Sequence, residues 1–273
     1  MSDAPRHEHS SFYKFVALSD AERVAERLRE LCRELGGNVL VAPEGISGAL
    51  GGLPAALDAF ELALVEDPIF ESAFRGIQFK RSFCTTRPFT LCKVHVKPEL
   101  VAFGLEGVSG LDDARTTHVS PQDWHQLIAR EDVVLLDNRN SFEWKLGHFR
   151  GAIDPGVRHF RDFPAYVQAH AEAWKQAGKT VAMYCTGGIR CEKIGGWMSR
   201  ELGLQVAQLD GGILNYFEQT GGEDWQGECF VFDKRIAIDP QREETATTAE
   251  QVFGDDPDEA WRLARARRLD PAG

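Results

Sequence analysis

The chain has 273 residues, of which 43% are apolar and 27% charged, the balance of a folded globular protein rather than a disordered or membrane-embedded one. Its 31 basic and 42 acidic side chains give a formal charge of −11, which excludes polyanion binding through a globally basic surface but not through a local patch. No apolar run approaches the roughly 20 residues that cross a bilayer, and the start, MSDAPRHEHSS, lacks a signal-peptide pattern. We therefore expect a cytoplasmic protein, long enough for two domains.

The first hundred residues predict a domain of mixed helices and strands. Ser19 and Glu22 form a capping box before one helix, and Leu57 and Phe60 lie on one face of a second helix. Strands are expected at residues 11–18, 38–42, the end of 43–52, and 77–83, with further extended chain at 91–103. The order strand, helix, strand, strand, helix, strand is that of the ferredoxin-like α+β fold, with a four-stranded antiparallel sheet. We assign this fold to residues 1–110.

Residues 111–239 have a different rhythm, in which strands alternate with helices. Ser120 and Pro121 begin a helix, and further helices are expected at 166–178 and 192–202. The strands are expected at residues 133–136, 180–184 and 206–209. Because these strands are apolar or nearly so, they are typical of a parallel sheet buried on both faces. The pattern predicts an α/β domain that binds ligands at the carboxyl ends of its strands.

Two polar segments flank this second domain. Residues 104–117 are rich in Gly, Ser and Asp and are expected to be a linker. Residues 240–273 are expected to be a polar tail with a short helix that starts at Asp256 and Pro257. The arginines of that helix, which we expect to form a solvated face, are Arg262, Arg265, Arg267 and Arg268.

The most informative segment is AMYCTGGIRCEKIGGWM, residues 182–198. A strand ends at Tyr184, Cys185 follows at once, and a helix begins after two glycines. Glycines let consecutive backbone N–H groups point inward and a helix start adds positive potential, so both favour an anion at the loop centre. The residues expected to line this anion site are Thr186, Gly187, Gly188, Ile189 and Arg190. A cysteine there has a lowered pKa and acts as a nucleophile; the alternative is a buried structural cysteine.

Two residues of the loop allow alternative interpretations. Cys191 is either a second reactive thiol or a small core residue on the first helical turn. Arg190 either supplies positive charge to the anion site or pairs with an acidic neighbour. Asp137 and Arg139 are expected to form a buried ion pair that holds the base of the loop. The cysteines and histidines show no C-x-x-C or H-E-x-x-H spacing, so no metal site is indicated.

Basic side chains are concentrated in the last strands of the first domain, where phenylalanines are interleaved with them. This composition is typical of a surface that binds phosphates and stacks bases. The candidate RNA contacts are Lys80, Arg81 and Lys93, together with Lys193 after the cysteine loop. The alternative is that these are ordinary solvated strand faces over core phenylalanines.

The motifs of residues 111–239 together resemble the rhodanese domain. They comprise an Asp-x-Arg and a Gly-His-x-x-Gly-Ala-Ile within LLDNRNSFEWKLGHFRGAI, the cysteine loop, and a Gly-Gly within LDGGILNY. The phrases YCTGGIRCEK and GECFVFDKRIAI, behind a ferredoxin-like unit with an EGISG turn, resemble the bacterial rhodanese-type tRNA uridine hydroxylases. This resemblance implies oxygen-dependent formation of 5-hydroxyuridine at the wobble position of tRNA. It also implies tRNA as partner and molecular oxygen as co-substrate; no other cofactor is identified.

Two other functions remain open on the residues alone. In a sulfurtransferase, Cys185 would take up a sulfane sulfur and pass it on as a persulfide. In a non-catalytic rhodanese module, the domain would only bind RNA or a partner protein, and the presence of Cys185 argues against this third function. The hydroxylase and the sulfurtransferase share their catalytic residues, so only the resemblance separates them.

Overall fold

The computed structural model describes residues 6–112 and 116–269, with side chains up to Arg267, and divides them into two compact units. The first unit comprises the described residues up to Leu100, Val231–Ala237, and those from Glu243 onward. The second comprises Val101–Phe230 and Ile238–Arg242. The segment that we expected to be a separate tail is thus largely grouped with the first unit. Part of the expected linker, residues 113–115, and the side chain of Arg268 lie outside the described residues.

The first unit is built on a five-stranded sheet in the order β4-β1-β3-β2-β5. Its elements are β1 (His7–Phe15), α1 (Ala21–Leu31), β2 (Gly36–Ala42), β3 (Gly45–Gly52), α2 (Pro54–Glu66), β4 (Gln78–Cys84) and β5 (Cys92–Val96). The first four strands are antiparallel and, with the two helices, follow the predicted ferredoxin-like order. The sheet is larger than predicted, because β5 adds to its edge in parallel with β2.

Helix α1 shows how local sequence defines an element and buries it. Its N-cap is Asp20, whose carboxylate accepts the backbone N–H of Arg23 at 2.9 Å. The predicted cap at Ser19 is therefore displaced by one residue, since an aspartate caps a helix as well as a serine does. Val24 and Leu28, on the inward face, are buried in one apolar cluster with residues of the sheet and of α2.

A buried ion pair attaches the segment Val231–Ala237 to the sheet of the first unit. The side chains of Asp233 and Arg235 are 1% and 2% exposed and approach to 2.6 Å. Arg235 Nη1 also donates to Ser82 Oγ at 2.8 Å. His9 Nε2 lies 3.4 Å from Asp233 Oδ2. Burial, followed by the charge of Arg235, lowers the pKa of His9 to about 4, although Asp233 opposes the change.

We expect His9 to make the protein less stable in mild acid. Its pKa is about 4 when folded and 6.5 when unfolded, so between these values the unfolded chain binds more protons. The stability contributed by neutral His9 is complete above pH 6.5 and declines as the pH falls toward 4, by about 3 kcal/mol in total. Urea unfolding measured from pH 4 to 7 on the wild type and on His9→Asn checks this.

The His9→Asn protein should lose much less unfolding free energy over this range than the wild type. His95→Asn is the matched change at an exposed histidine of β5, and it controls for the loss of an imidazole as such. Equal pH dependence of wild type and His9→Asn would contradict the assignment.

The second unit contains a four-stranded parallel sheet in the order β6-β10-β9-β7. Its strands are β6 (Thr116–Val119), β7 (Val133–Asp137), β9 (Thr180–Tyr184) and β10 (Gln205–Leu209), and its helices are α3 (Pro121–Ile128), α4 (Ser141–Leu146), α5 (Phe163–Gln176), α6 (Ile189–Leu202) and α7 (Gly212–Thr220). This confirms the predicted α/β rhodanese-type sheet. The edge strand β6 lies partly within the expected linker, because its sequence, TTHV, is polar and half-exposed and lacks the apolar signal of a buried strand.

The remaining elements are short. They are β8 (Gly147–Phe149), β11 (Trp225–Gly227), β12 (Cys229–Phe230), β13 (Ala237–Ile238), α8 (Ala249–Phe253) and α9 (Ala260–Leu269), with 3-10 turns at Pro68–Phe70, Phe160–Asp162 and Pro257–Glu259. Asp256 caps the last of these turns as predicted, by accepting the N–H of Asp258. Among the described residues, no helix combines the length and the apolar character needed to cross a membrane.

The parallel sheet determines where the functional loops meet. Strands β7, β9 and β10 are neighbours and run in the same direction, so the segments that follow them emerge at one edge of the sheet. These segments carry Asp137 and Arg139, the cysteine loop, and the Gly211-Gly212 pair. The predicted ligand-binding edge therefore brings together three of the motifs.

Candidate active site

Cys185 lies at the carboxyl end of β9, and backbone N–H groups surround its sulfur. Gly188, the N-cap of α6, has a φ of 102° and donates its N–H to Cys185 Sγ at 3.2 Å. The N–H groups of Arg190 and Cys191 also donate to this sulfur. The residue is 1% exposed. The backbone N–H groups that were predicted to favour an anion at the loop centre thus point at the sulfur of Cys185.

Opposing effects determine the ionisation of Cys185. Burial by itself would raise the pKa, but the Cys191 thiol, the charge of Arg190 and the backbone N–H groups outweigh it and lower the pKa to about 6. Burial and the neighbouring negative sulfur raise the pKa of Cys191 well above its usual value. At neutral pH, Cys185 is mostly a thiolate and Cys191 is a protonated thiol that donates to it.

Of the two alternatives for Cys191, the structure shows the core position on the first turn of α6, next to the Cys185 sulfur. It is 1% exposed within the core of the second unit, and it contacts the Cys185 sulfur. Asn138 donates from Nδ2 to Cys191 Sγ at 3.6 Å. The side chain of Asn138 is fully buried, so this contact holds the second thiol in a defined position.

Arg190 forms a two-pronged ion pair with Glu143. Nη1 and Nη2 of Arg190 each lie 2.9 Å from an oxygen of Glu143, which is completely buried. Of the two alternatives for Arg190, the structure shows the pairing with an acidic neighbour. The positive charge of Arg190 nevertheless lowers the pKa of Cys185. Glu143 also accepts from the backbone N and the side-chain Nδ2 of Asn140, at 3.1 and 3.0 Å.

Glu143 is the site residue that the sequence analysis missed. It fixes the orientation of Arg190, and Thr186 Oγ1 lies 3.5 Å from it. The available signal was the capping-box spacing from Asn140 to Glu143, which predicts a helix start but not a link to a loop 47 residues away.

The predicted ion pair between Asp137 and Arg139 is confirmed. Both side chains are completely buried, and Arg139 Nη2 lies 2.6 Å from Asp137 Oδ2. Arg139 also donates to the carbonyl of Gly147 at 2.6 Å, and the N–H of Asn138 donates to the carbonyl of Tyr184 at 2.9 Å. The segment after β7 is therefore anchored next to the end of β9.

The start of α7 closes the cysteine loop from the other side. The N–H groups of Ile213 and Leu214 donate to the carbonyls of Cys185 and Thr186, at 3.0 and 3.1 Å. Gly212 has a φ of +69°, and a Cβ at that position would lie 2.5 Å from the Cys185 carbonyl oxygen. Only glycine allows this approach, which explains the second glycine of the Gly-Gly pair after the last strand.

Four of the five predicted lining residues are partly exposed to solvent. Thr186, Gly187, Ile189 and Arg190 are partly exposed, whereas Gly188 is buried beneath them. A Cβ added at Gly187 would meet no atom within 4 Å. Among the described residues, no group of His, Cys, Asp and Glu side chains is arranged to hold a metal ion.

The candidate RNA contacts differ in exposure. Lys93 is exposed on β5, whereas Lys80 is 8% exposed, with its ammonium 5.0 Å from the centre of the Tyr13 ring. Arg81 forms ion pairs with three acidic side chains, those of Glu8, Asp58 and Glu61.

Lys193 would have to be exposed to contact RNA, and the structure shows it buried. Lys193 is 1% exposed and donates to the carbonyl of Val101 at 3.0 Å. The reason is that α6 is buried on nearly all sides. Every residue of Cys191–Met198 is buried except Glu192, which is half-buried, whereas an amphipathic helix would expose one face.

Comparison with known families agrees with this architecture. The model of the UPF0176 acylphosphatase like domain matches residues 7–100, and that of the rhodanese-like domain matches residues 120–219. A rhodanese-related protein from Thermoplasma volcanium aligns with 38% of this chain and 93% of its own, at 23% identity and a TM-score of 0.28. The fold and the cysteine loop define a rhodanese-type protein with an acylphosphatase-like N-terminal domain.

Relatives that match most of the chain identify the family more closely. Three proteins named tRNA uridine(34) hydroxylase are similar to this chain. That of Synechococcus elongatus is 46% identical over 85% of both chains. Those of Bartonella bacilliformis and Legionella pneumophila are each 41% identical over 84% of this chain, and over 74% and 89% of their own. The chain belongs to the tRNA uridine(34) hydroxylase family.

Proposed function

We propose that this protein hydroxylates C5 of uridine 34 in tRNA, with molecular oxygen as co-substrate and Cys185 as the nucleophile. The observation that carries the proposal is the Cys185 sulfur, which accepts the N–H of Gly188 and has its pKa lowered to about 6, in a chain that belongs to this family. Uridine, oxygen, two electrons and two protons give 5-hydroxyuridine and water. The carbon that reacts with oxygen must therefore first become electron-rich.

The Cys185 thiolate supplies this activation by adding to C6 of a base that has left its stack. The electron pair of the C5–C6 double bond moves to C5 and O4, and C5 takes up oxygen and a proton as a hydroperoxide. The thiol of Cys191 then reduces the hydroperoxide to a C5 alcohol and becomes a sulfenic acid. Loss of the C5 hydrogen as a proton expels Cys185 and restores the double bond.

The electrostatics of the site support this order of events. The negative sulfur of Cys185 is one of the causes that raise the pKa of Cys191, and it becomes neutral when it bonds to C6. Asn138 and Arg190, which lower the pKa of Cys191, remain. Cys191 thus becomes more acidic when its thiol is needed. Cys185 then condenses with the sulfenic acid to a disulfide with release of water, and an external dithiol restores both thiols.

Nucleoside mass spectrometry of tRNA tests this function. Cells that lack the gene should lose 5-hydroxyuridine at position 34, and purified protein with oxygen and a dithiol should restore it. The sulfurtransferase alternative uses the same thiolate, and it predicts thiocyanate from thiosulfate and cyanide instead. Unchanged 5-hydroxyuridine in the deletion strain, together with rapid thiocyanate formation, would decide against hydroxylation.

We also propose that tRNA contacts the first unit through Lys93. Lys93→Glu should weaken tRNA binding and reduce the slope of log affinity against log salt by about one, because one phosphate contact is lost. Lys193→Met is the comparison, since a buried lysine should affect folding but not this slope. Binding titrations at several salt concentrations measure both effects, and an unchanged slope for Lys93→Glu would place the RNA elsewhere.

A further inference from the structure

A second pair of cysteines lies in the first unit, outside the cysteine loop of the proposed reaction. Cys32 follows the last turn of α1 as its C-cap, and Cys92 begins β5. The helix end and the strand are in direct contact, because Arg29 Nη2 donates to the carbonyl of Val94 at 3.4 Å. Cys92 packs against the apolar cluster that contains Cys32, and the two thiols share a hydrogen bond.

The two cysteines differ in the ways that a reactive and a resolving thiol differ. Cys32 is 2% exposed, whereas Cys92 is partly exposed and follows Leu91, which is 72% exposed. The hydrogen bond from Cys32 lowers the pKa of Cys92, while that same bond, followed by burial, raises the pKa of Cys32. A thiol that is accessible, acidic and adjacent to a second thiol reacts preferentially with peroxides.

We propose that Cys92 and Cys32 form a peroxide-sensitive dithiol that closes reversibly into a disulfide between α1 and β5. The thiolate of Cys92 attacks one peroxide oxygen, the O–O bond breaks, and the other oxygen leaves as water after protonation. The thiol of Cys32 then attacks the sulfenic sulfur of Cys92, and a second water leaves. Two thiols and hydrogen peroxide give one disulfide and two waters, and a small dithiol reverses the change.

The sequence provides an internal control for the experiment. Trypsin releases Cys32 in residues 30–33, and it releases Cys92 in residues 82–93, because the bond between Arg87 and Pro88 resists cleavage. The second peptide also contains Cys84, which is 1% exposed and whose pKa burial raises to about 12. Oxidation of Cys92 and of Cys84 is therefore compared within one peptide.

The test treats the reduced full-length protein with two equivalents of hydrogen peroxide, because the Cys185–Cys191 pair can consume one of them. It then blocks the remaining thiols with N-ethylmaleimide under denaturing conditions and analyses the tryptic peptides by mass spectrometry. The proposal expects the two peptides linked between Cys32 and Cys92, with N-ethylmaleimide on Cys84. The link should disappear with dithiothreitol. In Cys32→Ser, Cys92 should remain a sulfenic acid that dimedone traps.

A second measurement uses Cys185→Ala, in which the cysteine loop cannot form a disulfide of its own. The disulfide between Cys32 and Cys92 restricts the unfolded chain, so peroxide should raise the thermal unfolding midpoint of this variant by several degrees, and dithiothreitol should reverse the rise. The proposal is overturned if Cys92 and Cys84 of the wild type keep equal N-ethylmaleimide labelling after peroxide. A link through Cys84, or a wild-type Cys92 that persists as sulfenic acid, overturns it equally.

Discussion

The Cys185→Ala protein should retain its fold and form 5-hydroxyuridine at less than about a hundredth of the wild-type rate, because the substitution removes the only atom that adds to C6 in the proposed reaction. The sulfur lies in a cradle of backbone N–H groups that Gly188 and the first turn of α6 provide. These groups remain in the variant. The measurement is single-turnover nucleoside analysis with purified tRNA, together with circular dichroism to verify the fold.

The matched control is Cys229→Ala. Cys229 is also completely buried in the second unit, so the change removes the same atom from a similar environment. Burial raises the pKa of Cys229 to about 12, and it stays a neutral thiol with no role in the proposed reaction. If Cys229→Ala loses as much activity as Cys185→Ala, the loss comes from packing rather than from the nucleophile.

A covalent complex with a fluorinated substrate tests the role of Cys185 by a second, independent measurement. When tRNA carries 5-fluorouridine at position 34, fluorine takes the place of the hydrogen that leaves as a proton. The wild-type protein should then remain bound to the tRNA on a denaturing gel, whereas Cys185→Ala should show no bound species. An adduct on Cys191 instead of Cys185 would contradict the assigned roles.

Glu143→Gln is expected to cause the largest loss of stability at the site, about 3 kcal/mol in the free energy of unfolding. Glu143 is completely buried and accepts two hydrogen bonds from Arg190 and two from Asn140. Its replacement by a neutral amide leaves the charge of Arg190, whose side chain is 11% exposed, without its buried partner. Denaturant unfolding of the purified variant measures the loss.

Glu201→Gln is the corresponding change at the surface of the same unit. Glu201 pairs with Arg200 at 3.3 Å, and both side chains are well exposed, so the free energy of unfolding should not change measurably. Equal stability of Glu143→Gln and the wild type would show that the pair with Arg190 contributes no net stabilisation.

Local sequence was sufficient for most elements and for the loop that carries Cys185. The strand Thr180–Tyr184 and the helix start at Ser120 and Pro121 were predicted as observed, because apolar runs and capping residues act over a few neighbouring positions. The same holds for Cys185, since the strand, the glycines and the helix start that surround its sulfur are consecutive in the chain. The family resemblance rested on similarly short motifs.

The partners of charged side chains were decided only by the tertiary structure. Arg190 pairs with Glu143, 47 residues earlier, and Lys193 donates to Val101, 92 residues earlier. Of the four candidate RNA contacts, only Lys93 has an exposed side chain. The charge of Arg81 is engaged by three acidic side chains from β1 and α2.

The physical reason is the range of the interactions involved. Helix capping, turn geometry and apolar periodicity depend on residues within one or two turns, so they can be read from the sequence. An ion pair or a buried amine depends on which distant segment packs against it, and the spacing of residues in the sequence does not indicate which segment that is. The sequence by itself thus determined most strands and helices of the two units and the loop that carries Cys185, while the tertiary structure decided how Glu143, Arg190 and Asn138 surround that cysteine.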